Sequence, residues 1–390
     1  MSVRIGAGVS DELDPLTAAI QAAGVAAEAL HGAAPDVAVV FASGAHLFAP
    51  EVTLEGVHDV ITPRALVGCG AGGVLADGRE LESGTAVAVW AASFDGAGEA
   101  RPFHSTARID ELDGISELDG LHEIDGAQGV IILADPYTFP TDAALAALAR
   151  RSPTVPVVGG IASARTAEGA GTLFFGEEVQ EEGAVGISLQ GVEMLPCISQ
   201  GAAPLGREVT ITAAEGNVIA ELAGRPALET VESIIAELPG RERALVAAGV
   251  LIGIVIDSGK PEYQQGDFLV RGVLAADPDS GKLAVGAEVR EGQVLRLHAR
   301  DAESADADLR RALRLHTEAM AGSSAAGALV FSCNGRGQAM FGACDHDAKT
   351  VQRELGGAPA AGFFAAGEIG PVGGRSFLHG FTATLAVFPS

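Results

Sequence analysis

The residues best suited to chemistry lie in a short segment near the C-terminus, Ser332–Gly337. This segment ends a run typical of a buried strand, and it combines the thiol of Cys333, the amide of Asn334 and the guanidinium of Arg336 with two glycines. Glycine permits a positive φ or a close approach of a ligand to the backbone. The planar fork of arginine suits a carboxylate or a phosphate. The segment therefore predicts either a ligand-binding turn or a strand-end turn with an inert, buried cysteine.

A second glycine-rich loop, Gly367–Gly374, follows an apolar run and is followed directly by Arg375. Its Glu368 is drawn toward the interior, where a carboxylate must be paired or must face a cavity. Two interpretations are open. Either Glu368 receives the amino group of a small ligand while an arginine takes its carboxylate, or Glu368 pairs with Arg375 or Arg336 to hold the turn. Gly367, Glu368 and Arg375 are therefore candidate ligand-binding residues as well.

The N-terminal half has small residues at the corresponding strand ends, in Phe41–Gly44 and Gly68–Gly70. Small side chains at a strand end make room for a ligand or for a packed neighbour, and packing is the more common reason. These strand ends predict a second candidate site, made of Ser43, Gly68, Cys69 and Gly70.

Several familiar chemistries lack their sequence patterns. No segment reads G-x-x-x-x-G-K-[ST], and the glycines near residue 70 precede a hairpin pattern instead of the long helix of a dinucleotide site. The nine histidines form no zinc-binding pattern, and the four cysteines form no C-x-x-C pair. Asp345, His346 and Asp347 are adjacent in one loop and rarely converge on one ion. We therefore expect no metal site and no cofactor.

Two other classes of function stay open at this stage. The first is an enzyme that uses Cys333 as nucleophile and His379 or His346 as base, acting on a small metabolite. The second is a scaffold that acts through a protein interface.

The elements that must position these residues recur along the chain. Val37–Gly44, Gly129–Asp135 and Gly327–Gly337 each begin a series of strand, glycine-containing loop, helix, second strand and return strand. Gly249–Asp257 begins a fourth, weaker copy. We predict an α+β protein with two domains of mixed β-sheet and packed helices, residues 1–200 and 201–390, built from about four related βαββ-like units. The acidic repeat at 111–126 predicts a surface connection.

Composition excludes some partners and locations. The 390 residues include 25 Lys and Arg against 51 Asp and Glu, a net charge of −26, which disfavours nucleic acid and anionic membranes. No apolar run approaches the roughly 20 residues of a membrane span, and the N-terminus lacks the pattern of a secretory signal. We expect a reduced, cytoplasmic protein with neither a nucleic-acid nor a membrane partner.

The chain resembles the FIST proteins, which pair an N-terminal and a C-terminal FIST domain. The resemblance rests on Val67–Trp90 and above all on Gly367–Gly374 with the closing segment Phe377–Phe388. It implies a sensory or signal-transduction module that binds a small ligand such as an amino acid. It implies no established catalytic residue. With no output segment beside the two domains, the protein would act through an unknown signalling partner.

Overall fold

The computed structural model describes residues 3–110, 114–120, 124–164, 171–247, 249–257, 259–260, 262–263, 265–320 and 322–390. The chain divides into two compact units: unit 1 is Met1–Ile198, Leu309–Leu378 and Thr382–Ser390, and unit 2 is Ser199–Asp308 and His379–Phe381. Unit 1 therefore contains segments from both sides of the domain boundary predicted between residues 200 and 201. That boundary stays a prediction. Part of the acidic repeat, at 111–113 and 121–123, lies outside the described residues.

Unit 1 contains three sets of six strands that follow one plan. A leading strand is followed by two strands that pair in parallel, then by a short hairpin, then by a strand that returns antiparallel beside the first of the parallel pair. The first set is β1 (Arg4–Ser10), β2 (Val37–Ser43), β3 (Ala65–Ala71), β4 (Val74–Ala76), β5 (Arg79–Leu81) and β6 (Ala86–Ser93). The second set is β7 (Glu99–Ser105), then β10 (Gly129–Ala134), β11 (Val157–Ile161), β12 (Leu173–Phe175), β13 (Glu178–Gln180) and β14 (Ala184–Gln190), with a separate hairpin β8 (Ala107–Asp110) and β9 (Gly114–Leu118) between. The third set is β15 (Leu195–Gln200), then β23 (Ala325–Cys333), β24 (Ala360–Ala365), β25 (Glu368–Val372), β26 (Arg375–His379) and β27 (Thr382–Pro389). The predicted mixed sheets are confirmed.

The hairpins are exchanged between the sets in a cycle. The sheet orders are β1-β6-β2-β3-β12-β13, β26-β25-β11-β10-β14-β7 and β15-β27-β23-β24-β4-β5. Each sheet therefore ends in a hairpin that belongs to another set: the second set extends the first, the third extends the second, and the first extends the third. The exchange of β4–β5 joins the first strand set to the third, which is the last in the chain.

Three glycines show how closely the sets correspond. Each lies on the second parallel strand, where an added Cβ would fall within 2.0 Å of the carbonyl oxygen of the residue paired with it. No side chain fits there unless the backbone moves. These glycines and their paired residues are Gly68 with Val40, Gly159 with Ile132, and Gly362 with Val330. Gly68, predicted as a candidate site residue, is thus required by close strand packing.

Helices cover the sheets of unit 1. Helix α1 (Pro15–Glu28) begins at the N-cap Asp14, whose carboxylate accepts the Thr17 N–H, and it buries a row of alanines. The first set also contains a 3₁₀ helix (Gly44–Phe48) and α2 (Pro50–Val60); the second contains α3 (Thr141–Arg151); the third contains α7 (Gln338–Phe341) and α8 (His346–Glu354).

Unit 2 has a different plan and a separate apolar core. Its strands are β16 (Ala202–Glu215), β17 (Val218–Leu222), β18 (Arg225–Pro226), β19 (Leu251–Val255), β20 (Phe268–Asp277), β21 (Lys282–Val285) and β22 (Val294–Arg300). They form one antiparallel sheet in the order β16-β22-β19-β20-β21-β17-β18. Because the described part of this sheet contains no parallel pair, the segment predicted as a fourth copy does not repeat the plan of unit 1. Unit 2 also contains α4 (Ala227–Glu237), α5 (Gly240–Val246) and the beginning of α6 (Ala302–Ala319), which from Leu309 onward belongs to unit 1. Among the described residues, no helix is both long and apolar enough to cross a membrane.

Candidate functional site

A pocket of about 170 Å³ lies in unit 1 where all three strand sets meet. A single water needs about 10–15 Å³, so the pocket has room for a small metabolite. Its lining combines residues beside the exchanged hairpin of the first set, at the end of β11, and at the ends of β23 and β24. These residues are Gly72, Glu82, Ser83, Ser163, Asn334, Arg336 and Phe364.

The floor and the mouth of the pocket differ in exposure. Arg336, Ser163 and Phe364 are buried, with 2%, 7% and 3% of their surface exposed. Glu82 and Asn334 are exposed at the mouth. A ligand would therefore meet a desolvated guanidinium at the bottom and a solvated carboxylate at the entrance.

Arg336 is held by a buried ion pair with Asp347, the second residue of α8. Its Nε donates to Asp347 Oδ2 at 2.6 Å and its Nη2 donates to Oδ1 at 2.9 Å. Burial disfavours the charged form of each group, but the pairing outweighs burial: the pKa of Arg336 is raised and that of Asp347 is lowered. Both groups therefore stay charged.

Further contacts fix the position of this pair. The Ser332 hydroxyl donates to Asp347 Oδ2 at 2.9 Å, and His346 Nδ1 lies 2.9 Å from Oδ1. The Phe341 ring stacks on the His346 ring and lies 5.1 Å from the Arg336 guanidinium carbon. Because Asp347 is fully engaged, the orientation of the guanidinium is set before any ligand arrives.

The third nitrogen of Arg336, Nη1, takes no part in the pair with Asp347. Among the described residues, Nη1 is buried and has no hydrogen-bond partner. A buried donor without a partner costs free energy, and an arginine donor more than a neutral one. Arg336 also lines the pocket, so a molecule bound there would lie against this charged group.

Hydrogen bonds join three other lining residues of the pocket. The Gly72 N–H donates to Ser163 Oγ at 2.9 Å, and the Ser163 hydroxyl donates to the Phe364 carbonyl. Ser163 thereby joins all three strand sets.

Glu82 closes one side of the pocket. Its Oε1 accepts the Gln338 N–H at 2.7 Å. Gly337, which precedes Gln338, has a φ of 93°, and an added Cβ would lie 2.7 Å from the Glu82 carboxylate carbon.

Glu368 and Cys333 are not among the residues that line the pocket. Glu368 is fully buried; its Oε2 accepts from Thr382 N at 3.0 Å and from Thr382 Oγ1 at 2.8 Å. Burial raises the pKa of Glu368 to about 8, against the opposing effects of Thr382, the Cys333 thiol and Arg336. The carboxyl group is therefore mainly protonated at pH 7. Cys333 is 5% exposed, and its Sγ accepts the Gly335 N–H at 3.4 Å.

The other predicted residues lie elsewhere. Arg375 is exposed and lines a separate shallow crevice beside α3, with its guanidinium 5.4 Å from the Phe377 ring. The Gly367 carbonyl accepts the Ile161 N–H in the exchanged hairpin pairing. Ser43 donates to the Gly84 carbonyl, burial raises the pKa of the Cys69 thiol, and Gly70 packs against Leu47 and Thr172. Of the ten predicted residues, the pocket brings together Asn334 and Arg336.

Sequence reasoning missed the other groups of the pocket. Its adjacency to Asp345 and His346 draws attention to Asp347 only as a metal ligand, although a buried arginine needs a carboxylate partner and Asp347 is eleven residues from Arg336. Glu82, Ser83 and Ser163 carry no sequence signal, because their place depends on the exchange of hairpins. Among the described residues, no cluster of His, Cys, Asp and Glu could hold a metal ion.

Comparison with known proteins identifies the family. The family model of the FIST N domain matches residues 36–225, and that of the FIST C domain matches residues 227–371. The uncharacterized protein Mb0898c of Mycobacterium bovis is 42% identical over 386 residues, covering 99% of each chain. The uncharacterized protein Rv0628c of Mycobacterium tuberculosis is 41% identical over 386 residues, covering 99% of this chain and 100% of the relative. FIST domains are associated with sensory signal transduction. On these matches, the chain belongs to the FIST family and carries both its N-terminal and its C-terminal domain.

Proposed function

We propose that this protein is a sensor that binds a small carboxylate-bearing metabolite in the pocket at Arg336. The observation that carries the proposal is Arg336, a buried residue that lines a cavity, binds Asp347 through Nε and Nη2, and has at Nη1 no hydrogen-bond partner among the described residues. A carboxylate there would satisfy the donor and would be bound by a group already oriented.

A carboxylate at the pocket, that of Glu82, restricts the chemical class of the ligand further. Glu82 uses Oε1 for the Gln338 N–H, and its Oε2 has no partner among the described residues. An ammonium group at Oε2 and a carboxylate at Arg336 Nη1 together describe a free amino acid or a related metabolite. Glu82 thus takes the role that the sequence analysis gave to Glu368.

The proposal includes a partner. A separate signalling protein would receive the output of this sensor, and we place the protein in the cytoplasm as part of the same proposal.

Thermal shift is the direct test. Glycine, L-alanine, L-serine and L-aspartate are compared with acetate and methylamine, which carry one charged group each. A ligand at 100 times its Kd adds about 2.7 kcal/mol to the free energy of unfolding. We expect at least one amino acid to raise the Tm, and both single-charge compounds to fail at the same concentration. If no amino acid raises the Tm, the proposal is wrong.

Matched variants locate the binding. Glu82→Gln keeps an acceptor for the Gln338 N–H but removes the charge, so the shift by the amino acid should fall by more than half. The control is Glu178→Gln, an exposed glutamate on the corresponding hairpin β12–β13, which should leave the shift unchanged. An unchanged shift in Glu82→Gln would place the ligand elsewhere.

A further inference from the structure

The pocket lies at the hairpin exchange that joins the first strand set to the third. Gly72 precedes β4, Glu82 and Ser83 follow β5, and the third set supplies Arg336 and its neighbours. The hairpin β4–β5 between them adds to the sheet of the third set through β24.

This hairpin is short, and side chains fasten it. Each of its strands has three residues, and an isolated two-stranded hairpin is marginal in water. The Glu80 N–H donates to Asp345 Oδ1 at 2.7 Å, and Glu80 Oε1 accepts the Ala348 N–H at 2.8 Å at the start of α8. Gln352 of α8 donates to Asp77 at 3.3 Å. The hairpin is therefore bound to the same helix that carries Asp347.

The three exchanges share one backbone contact but differ in the residues beside it. All three hairpins make an equivalent backbone bond just before their first strand or at its start: Phe364 N to Gly73 O, Gly70 N to Thr172 O, and Ile161 N to Gly367 O. Of these three junctions, the one at Gly73 has a lining residue of the pocket on each side of the exchange, Gly72 and Phe364.

We infer that a bound ligand acts as a clasp on the exchanged hairpin β4–β5, so that occupancy of the pocket controls how often this hairpin detaches from the third strand set. The inference rests on the proposed function. A ligand held between Glu82 and Arg336 spans the exchange, and detachment of the hairpin removes Gly72, Glu82 and Ser83 from the pocket. The ligand must therefore leave before the hairpin can open. The signal of the sensor is therefore the stabilisation of the attached hairpin β4–β5, one of the three exchanged hairpins.

Hydrogen exchange of the full chain tests the clasp. The amides of Asp77 and Phe364, which bond to Ala360 O and Gly73 O, are followed with and without the amino acid that gives the largest Tm shift in the panel above. At 100 times its Kd the ligand reduces the opening population, and so the exchange rate, about 100-fold. The amides of Gly70 and Ile161 at the other two junctions should be slowed by less than threefold.

Two variants separate local opening from unfolding of the whole unit. Glu80→Ala removes the acceptor of the Ala348 N–H without touching the pocket, and it should speed exchange at Asp77 and Phe364 in the free protein, with the ligand slowing it again. Glu178→Ala, on the corresponding hairpin of the second set, should leave both amides unchanged.

The outcomes distinguish the two proposals. Slowing confined to Asp77 and Phe364 supports the clasp. Equal slowing at all three junctions, together with a Tm shift, overturns the clasp and leaves the ligand site standing. The absence of any Tm shift with the panel overturns the proposed function and the clasp together.

Discussion

At the scale of single residues, the site depends on one buried ion pair. Removing one partner of such a pair leaves the other charge without compensation, which costs about 3–5 kcal/mol. We expect Arg336→Met to lower the free energy of unfolding by that amount, measured by urea denaturation, because Asp347 stays buried. The double variant Arg336→Met, Asp347→Asn should recover at least half of the loss, since it removes the orphaned charge. A double variant no more stable than the single one would contradict this account.

Glu368 makes a prediction about pH. In an unfolded chain a glutamate has a pKa of about 4.3, whereas burial raises the pKa of Glu368 to about 8 in the folded protein. Between these values the folded state holds a proton that the unfolded state has released. Its free energy of unfolding therefore falls as pH rises, by up to about 1.4 kcal/mol per unit, and this loss is complete above pH 8.

The variant Glu368→Gln cannot titrate at this position. Urea denaturation at pH 5, 6, 7 and 8 should show a shallower fall than in the wild type, with the variant gaining most relative to the wild type at pH 8. Glu80, whose pKa burial raises to about 7, contributes a fall of the same sign in both proteins. Parallel profiles for variant and wild type would show that Glu368 is not protonated in the folded state.

Some of the site residues could be predicted from the sequence, whereas their partners could not. Asn334 and Arg336 could be predicted because a strand, two glycines and a guanidinium are adjacent in one segment. Glu368 was expected to be drawn inside, and it is fully buried. Its partner could not be predicted, because Thr382 offers no charge and gives no signal of an interaction with a carboxylate.

At the scale of elements, the loop after β23 depends on Gly337. Its φ of 93° and ψ of −163° lie in a region that only glycine adopts without strain. We expect Gly337→Ala to cost about 1–3 kcal/mol for the backbone, to displace Glu82, and to weaken the ligand-induced Tm shift. Gly342 is the control: its φ is 67°, and a Cβ there meets no atom within 4 Å. Gly342→Ala should cost about 1–2 kcal/mol and leave the shift intact. Equal effects on the shift would remove Glu82 from the site.

Elements were predictable where the signal is local. The N-cap Asp14 and the alanine-rich sequence indicate α1, and short apolar runs with β-branched residues, bounded by glycine, indicate the strands. The exchange of hairpins is not local: β4 pairs with β24, almost 290 residues further along the chain. Three-residue strands have no periodicity that could specify a partner, so the walls of the pocket could not be assembled from the sequence.

At the scale of the whole molecule, the repeats and the compact units follow different boundaries. The three copies that share a glycine against a carbonyl all belong to unit 1. Unit 2 interrupts the third set between β15 and β23 and has a separate apolar core. Read from the sequence, a strand set with so long an insertion looks like two successive domains. Nothing at residue 308 shows that the chain returns there to unit 1.

Separate cores predict that the two units can unfold separately. The single tryptophan, Trp90, lies in the core of unit 1, 1% exposed and 5.2 Å from the Phe388 ring. Its fluorescence therefore reports unit 1, whereas far-UV circular dichroism reports both units.

Leu329→Ala in unit 1 and Leu297→Ala in unit 2 each remove a fully buried side chain, at a cost of about 2–5 kcal/mol. Leu329→Ala should move the fluorescence transition to lower urea, whereas Leu297→Ala should move part of the dichroism transition and leave the fluorescence midpoint in place. If Leu297→Ala moved both probes equally, the chain would unfold as one cooperative unit, and ligand binding in unit 1 would then stabilise unit 2 to the same extent.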